Sequence, residues 1–307
     1  MPKNPLAEVF GYPIDSMSQD AMNHRQGGLC PYHNTSGLKC TKYSATDPLG
    51  VCTIFERNRL VVTCPIRLRQ DLKIVADAAN FFFPGMRYVP LTEARLKDKR
   101  GKSAGNIDIV IAALNDDDEI VDFGAVEVQA VYISGNVSRA FREYMKNPAA
   151  NYAMEWPRKN YPSPDYLSSS RKRLAPQLIY KGSILHEWGK KMAVVAHQGF
   201  FDQLPRLREV DESGAEIAWM VYDFRHDEAA NRYMLERREV KYTEFESALT
   251  TITTPTVGDM AEFLKYLKGR IKQGKTMGSP LPSQIPPETE PLPGLFEDGA
   301  EETNDEG

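Results

Sequence analysis

The sequence predicts an α/β fold, a mixed β-sheet flanked by helices. Three features carry that reading: helical stretches with one apolar face, a hairpin near the middle, and two short apolar runs downstream. A chain of 307 residues, 41% hydrophobic and 10% aromatic, can bury one large domain with a small accessory region. No internal repeat is present.

In chain order, residues 1–66 read as an irregular N-terminal region, because GG, NTSG and DPLG turns separate its short apolar pieces. From Arg67 to about Phe82, Leu68, Leu72, Val75 and Ala79 recur at helical spacing, and Pro84-Gly85 closes the helix. The linker KDKRGKSAG leads into a hairpin of Ile107–Leu114, a turn in Asn115–Asp118, and Glu119–Val131. Ser138–Lys146 follows as a helix carrying Arg139, Arg142 and Lys146. KMAVVA (191–196) and Ala215–Phe224 read as buried strands. A last helix opens at the N-cap Asp259 with Met260, Phe263, Leu264, Leu267 and Ile271 on one face. The core is thus expected over 67–280, and 281–307, rich in Pro, Glu and Gly, as a disordered acidic tail.

The four cysteines, Cys30, Cys40, Cys52 and Cys64, all fall in the N-terminal region. Confined there, in a chain expected to be cytoplasmic, they suit a structural four-thiolate metal site more than disulfides. Four independent buried thiols are the alternative, and His33 is a possible substitute ligand. Zinc and iron both accept such a set.

Two acids interrupt the apolar hairpin. Asp108 and Glu127 have numbers summing to 235, a centre at the edge of the expected turn, so they are cross-strand neighbours, and Gln129 shares the face of Glu127. Adjacent carboxylates in a sheet interior need a cation between them, which points to Mg²⁺ on Asp108 and Glu127. The alternative is a hairpin face on which the acids meet water.

An Asp in the first strand and, about twenty residues on, an acid, one spacer and a polar residue resemble the PD-(D/E)xK nuclease core. Gln129 stands where that core normally has Lys. The E-x-Q variant, the four cysteines and the segment DYLSSSRKRLAPQLIYKG (165–182) together resemble the NotI-like type II restriction endonucleases over roughly residues 5 to 275. The resemblance implies a restriction-endonuclease-like fold and a homodimer that cuts both strands of a GC-rich palindrome in double-stranded DNA with Mg²⁺. It also implies an iron at the cysteines, Asp108 and Glu127 as metal ligands, and Gln129 near the attacking water. Glu93, fifteen residues before Asp108, is a candidate further carboxylate, or else a surface acid.

The charge distribution agrees with a polyanionic partner. The net charge of −4 includes eight acids and no Lys or Arg in the last 23 residues, whereas Asn136–Lys191 holds eleven Lys or Arg against four Asp or Glu. Arg158, Lys159, Arg171, Lys172, Arg173 and Lys181, interleaved with Trp156, Tyr161, Tyr166 and Tyr180, are the candidate DNA-binding residues. Arg171 and Arg173 follow Ser168-Ser169-Ser170, which could open a helix towards phosphate. Lys190 and Lys191 read as solvated surface, and His186, His197 and His226 as structural. The N-terminus MPKNPLAEVF lacks a basic region followed by an apolar stretch, and no apolar run approaches a membrane span. A structure-specific or repair nuclease and a non-catalytic DNA-binding protein with a structural metal are the competing functions.

Overall fold

Short strands replace the irregular N-terminus that the turn-rich sequence suggests. In the computed structural model, which describes residues 3–33, 37–44, 46–275 and 277, β1 (Leu6–Val9), β2 (Tyr12–Pro13), β3 (Val51–Glu56) and β4 (Arg59–Val62) form an antiparallel sheet in the order β2-β1-β3-β4. Helix α1 (Gln19–Gly27) lies between β2 and β3, with Ser18 as its N-cap and Gly28 in the left-handed region (φ 62°) as its C-cap. These strands are short and β1 is buried throughout, so they show no alternation to read.

The helix expected from Arg67 is two pieces. Pro65–Leu72 forms a 3₁₀ stretch, Asp71 and Leu72 take positive φ, and α2 (Lys73–Phe82) begins after the kink. The cause is polar and long-range: Arg67 turns inward to Glu8, and the Gln70 carboxamide oxygen accepts from the Leu235 amide at 2.9 Å. Leu72 therefore leaves the apolar face, and Ile74, Val75, Ala78, Ala79, Phe81 and Phe82 form it instead.

The central sheet contains β5 (Arg87–Lys97), β6 (Ser103–Leu114) and β7 (Ile120–Gln129). After the small ribbon of β8 (Tyr132–Ser134) and β9 (Ser163–Asp165), it continues with β10 (Met192–His197), β11 (Ile217–Asp227) and β12 (Arg232–Thr243). Its order is β12-β11-β10-β7-β6-β5, parallel across β7, β10 and β11 and antiparallel elsewhere. Helices flank this mixed six-stranded sheet, as expected of the fold class. The α2 face packs with Ile109, Ile111, Val126 and Val128 on one side. On the other side Val110, Ala125, Val194 and Trp219 share a core with Leu174, Leu178 and Phe245, and this core also takes in Leu6, Val51 and Ile54 of the N-terminal sheet. The N-terminal region thus has no core separate from that of the sheet.

Helix α3 (Val137–Lys146) forms where expected, capped by Asn136, whose side chain accepts from the Arg139 amide. Residues 166–187 form one long helical segment that alternates α turns with wider i→i+5 turns, then Phe245–Thr253 forms a further helix. Met1–Pro255 is one compact unit, and Thr256–Gly307 is a second, in which Met260–Lys272 forms the last expected helix with the Asp259 side chain accepting from the Ala261 amide. The acidic stretch 281–307 lies outside the described residues.

Candidate active site

The hairpin forms with the expected register. Ile109 pairs with Val126, Val110 with Ala125 and Ile111 with Gly124, each pair summing to 235, while the Asn115 and Glu119 backbones close the turn. Continued one step, that register brings Asp108 alongside Glu127, and the Asp108 Oδ2 accepts the Val128 amide at 2.8 Å. Glu127 and Gln129 are buried at 1% and 2% exposure, on the sheet face covered by the helical segment 166–187. The acids therefore do not line an exposed hairpin face.

Glu93 joins them through an irregularity in β5. Thr92 pairs with Ile109 and Ala94 with Ile107, and between them Glu93 takes φ 57°, which displaces it from the ladder opposite Asp108. A left-handed glutamate inside a strand is strained by roughly 1–3 kcal/mol, a feature that clusters at functional sites. Burial raises the Asp108 carboxyl above its ordinary range, and the negative charge of Glu93 adds to this. Glu127 is pushed up to about 8 by burial first and by Asp108 second. Two carboxyl groups that resist ionisation side by side are a ready site for a cation.

The sixth residue of the expected DNA-binding set is not on the surface. Lys181 is 5% exposed; its ammonium donates to Glu127 Oε2 at 2.5 Å and to the Asn106 carbonyl at 2.8 Å. It reaches that depth because its helix packs directly onto the hairpin, its stem running past Gly105, where β6 takes φ 113°. One turn earlier, Gln177 accepts from the Gln129 carboxamide. Glu127 Oε1, by contrast, is buried with no hydrogen-bond partner among the described residues. Arg173, its guanidinium over the Tyr132 ring at 5.3 Å, also holds Asp108 down. Neither Gln177 nor Asn106 stood out in the sequence. The four-residue spacing of Arg173, Gln177 and Lys181 was the available signal.

Of the other expected DNA-binding residues, Arg158, Lys159, Arg171 and Lys172 are exposed. The Ser168–Ser170 run does not present a free helix end, because the helix opens a turn earlier at Asp165, whose carboxylate takes the Ser168 amide, and the Ser169 hydroxyl accepts from the Tyr132 amide. Tyr166 donates to Glu56, and Tyr180 is exposed. Lys190 is half-buried and paired with Asp122 at 2.6 Å, and Lys191 lies over Phe81, so neither is the solvated residue expected. The three histidines expected to be structural each have partners within the fold: His186 pairs with Glu216 and stacks on Phe245, His197 bonds Asp223 and the Gly199 amide, and His226 meets Asn231.

All four cysteines are buried and unpaired, and they line one small cavity that Lys42 and Arg67 also border. Burial pushes the Cys30 thiol up to about 11 and raises Cys40 and Cys52. The expected metal staple is not supported by this arrangement. Among the described residues no group of three or more His, Cys, Asp or Glu side chains is arranged to hold a metal ion. His33 is not among the residues bordering the cavity.

A family model described as Restriction endonuclease NotI matches residues 8–235. The match spans the cysteines, the hairpin and the helical segment that covers it. No curated protein matches the chain.

Proposed function

Because this chain belongs to the NotI restriction endonuclease family, we propose that it is a type II restriction endonuclease that hydrolyses phosphodiester bonds of double-stranded DNA at a specific GC-rich palindrome with Mg²⁺. The supporting observation is that Asp108 lies alongside Glu127 at the buried end of the hairpin, with Glu127 Oε1 left without a hydrogen-bond partner among the described residues. That orphan oxygen and the adjacent raised carboxyl of Asp108 offer two oxygen donors of the kind a hard cation takes, with water and a DNA phosphate as its further ligands.

Asp108 and Glu127 would hold the ion. When bound, it would supply neutralisation of charge on the phosphate and activation of water. The chain's own residues do the positioning. The Val128 amide fixes one Asp108 oxygen, Lys181 fixes one Glu127 oxygen, and Gln177 fixes the carboxamide of Gln129, which can orient water by hydrogen bonds but cannot supply charge. Arg158, Lys159, Arg171 and Lys172 are exposed where they can neutralise backbone phosphates, which sets register without reading sequence. Symmetric cutting of a palindrome requires two such sites, hence a homodimer. No helix among the described residues is long and apolar enough to cross a membrane. A cytoplasmic location belongs to the same proposal, because an enzyme that cuts DNA acts where the DNA is.

A structural iron or zinc ion on Cys30, Cys40, Cys52 and Cys64 belongs to the same reading. The four sulfurs border one cavity and are chemically suited to such an ion, which would require the thiols to ionise and draw together. Elemental analysis of untagged protein should find about one iron or zinc per chain; a metal-free folded protein would dismiss the ion.

The function is tested by incubating linear duplex and plasmid DNA with the protein, with and without Mg²⁺, and sequencing new ends. Discrete Mg²⁺-dependent fragments with a common terminal sequence are expected, and Asp108→Ala should give none. Cleavage only at branches, nicks or single strands would replace site specificity with structure specificity. Binding without cleavage would make the protein a non-catalytic DNA binder, and full cleavage by Asp108→Ala would remove the hairpin from the active site.

A further inference from the structure

The E-x-Q hairpin lacks the cation that its third position would carry as Lys, and the helical segment 166–187 brings one to the same place. Lys181 Nζ is engaged at once by Glu127 Oε2 at 2.5 Å and by the Asn106 carbonyl at 2.8 Å, so the ammonium is held between β6 and β7 at the depth of the carboxylates. A lysine this buried is uncommon unless paired, and a buried ion pair is a poor source of stability compared with apolar packing, so its value lies in orientation. Four residues earlier the same helix holds Gln129 through Gln177.

The spacing is built into the helix. The Ala175 amide bonds to the Ser170 carbonyl and the Ser183 amide to the Leu178 carbonyl, both i→i+5. Mixing such turns with ordinary ones brings the period to about four residues, which stacks Arg173, Gln177 and Lys181 along one line against the hairpin.

We propose that Lys181, delivered by this helix and not by strand β7, is the positioning residue of the active centre: it fixes the Glu127 carboxylate with Oε1 free and provides the positive charge that Gln129 lacks. This rests on the nuclease reading above. It makes the catalytic unit a hairpin and a helix separated by fifty residues of chain, about the distance from Gln129 to Lys181.

Relocating the charge tests the proposal. Single-turnover cleavage at saturating Mg²⁺ and DNA is compared for the wild type, Lys181→Met, Lys181→Arg, and Lys181→Met combined with Gln129→Lys. Binding of the same duplex in Ca²⁺ and thermal melting of metal-free protein are measured alongside. Lys181→Met should slow cleavage by about a hundredfold or more while duplex binding stays within about threefold. Lys181→Arg should recover part of the rate, and Gln129→Lys in the Met background at least about tenfold of it. In metal-free protein melted at about pH 9, where the Glu127 carboxyl is ionised, Glu127→Gln should restore melting temperature lost by Lys181→Met, which shows the pair independently of turnover. Cleavage by Lys181→Met within threefold of the wild type overturns the proposal, as does a loss that neither Arg at 181 nor Lys at 129 repairs. An inactive wild type would instead strike the nuclease reading, and the melting comparison would still report on the ion pair.

Discussion

Glu93 and Glu127 each sit in a state that folding alone would not choose. Glu93 holds a positive φ inside a strand, so Glu93→Gly should leave melting unchanged or raise it slightly, while cleavage falls at least about tenfold because the carboxylate beside Asp108 is gone. A thermal scan and a cleavage assay on the same preparation check both halves. The Glu127 carboxyl, at about 8 and above its ordinary 4.5, favours the protonated form in the fold. The folded state therefore binds the extra proton, and metal-free stability should decline as pH rises from about 4.5 through 8. A cation must displace that proton, so Mn²⁺ affinity measured by calorimetry should climb about tenfold or more between pH 6.5 and 8.5, with proton release at the lower pH. A flat affinity would place Glu127 outside the ion's ligands.

At the level of elements, the hairpin was legible because its turn and its acids gave the same register from two directions, and each strand had an apolar face to bury. The covering helix was not. Pro176 argues against a helix, and wide turns dissolve the 3.6-residue period, yet Pro176 follows a wide turn in which an ordinary i→i+4 bond is already interrupted. Strand β5 was hidden by Pro90 and its exposed, charged pattern, and β12, RYMLERREVKYT, by charge along an edge of the sheet. The fit of the helix is tight at Gly182, where an added Cβ would meet Phe245 Cε2 at 2.6 Å. Gly182→Ala should cost about 1–3 kcal/mol through overpacking. It should also reduce cleavage, because the displaced neighbour is the backbone of Lys181; denaturant titration and single-turnover rates measure the two effects.

Across the Met1–Pro255 unit, a buried ion pair, Arg67 with Glu8, adds to the shared apolar core that joins the N-terminal sheet to the central one. Arg67 donates to both Glu8 oxygens, to Gln70 and to the Tyr233 carbonyl, and lies between the Tyr32 and Phe224 rings. Nothing local in Cys-Pro-Ile-Arg marks this residue, since its partners Glu8 and Tyr233 are 59 and 166 positions away. Arg67→Ala should lower stability by about 3–5 kcal/mol by stranding Glu8, and Arg67→Met with Glu8→Leu should recover most of it. Urea melts of the two variants check this. Strand β5 forms one end of the central sheet, and such an end offers its free amides and carbonyls to any passing strand. There the turned backbone of Glu93 breaks the row of outward groups at mid-strand, Pro90 removes a donor, and Arg87, Arg95 and Lys97 add charge. The bend that brings a carboxylate to Asp108 is thus also the molecule's guard against growing, strand upon strand, into an aggregate.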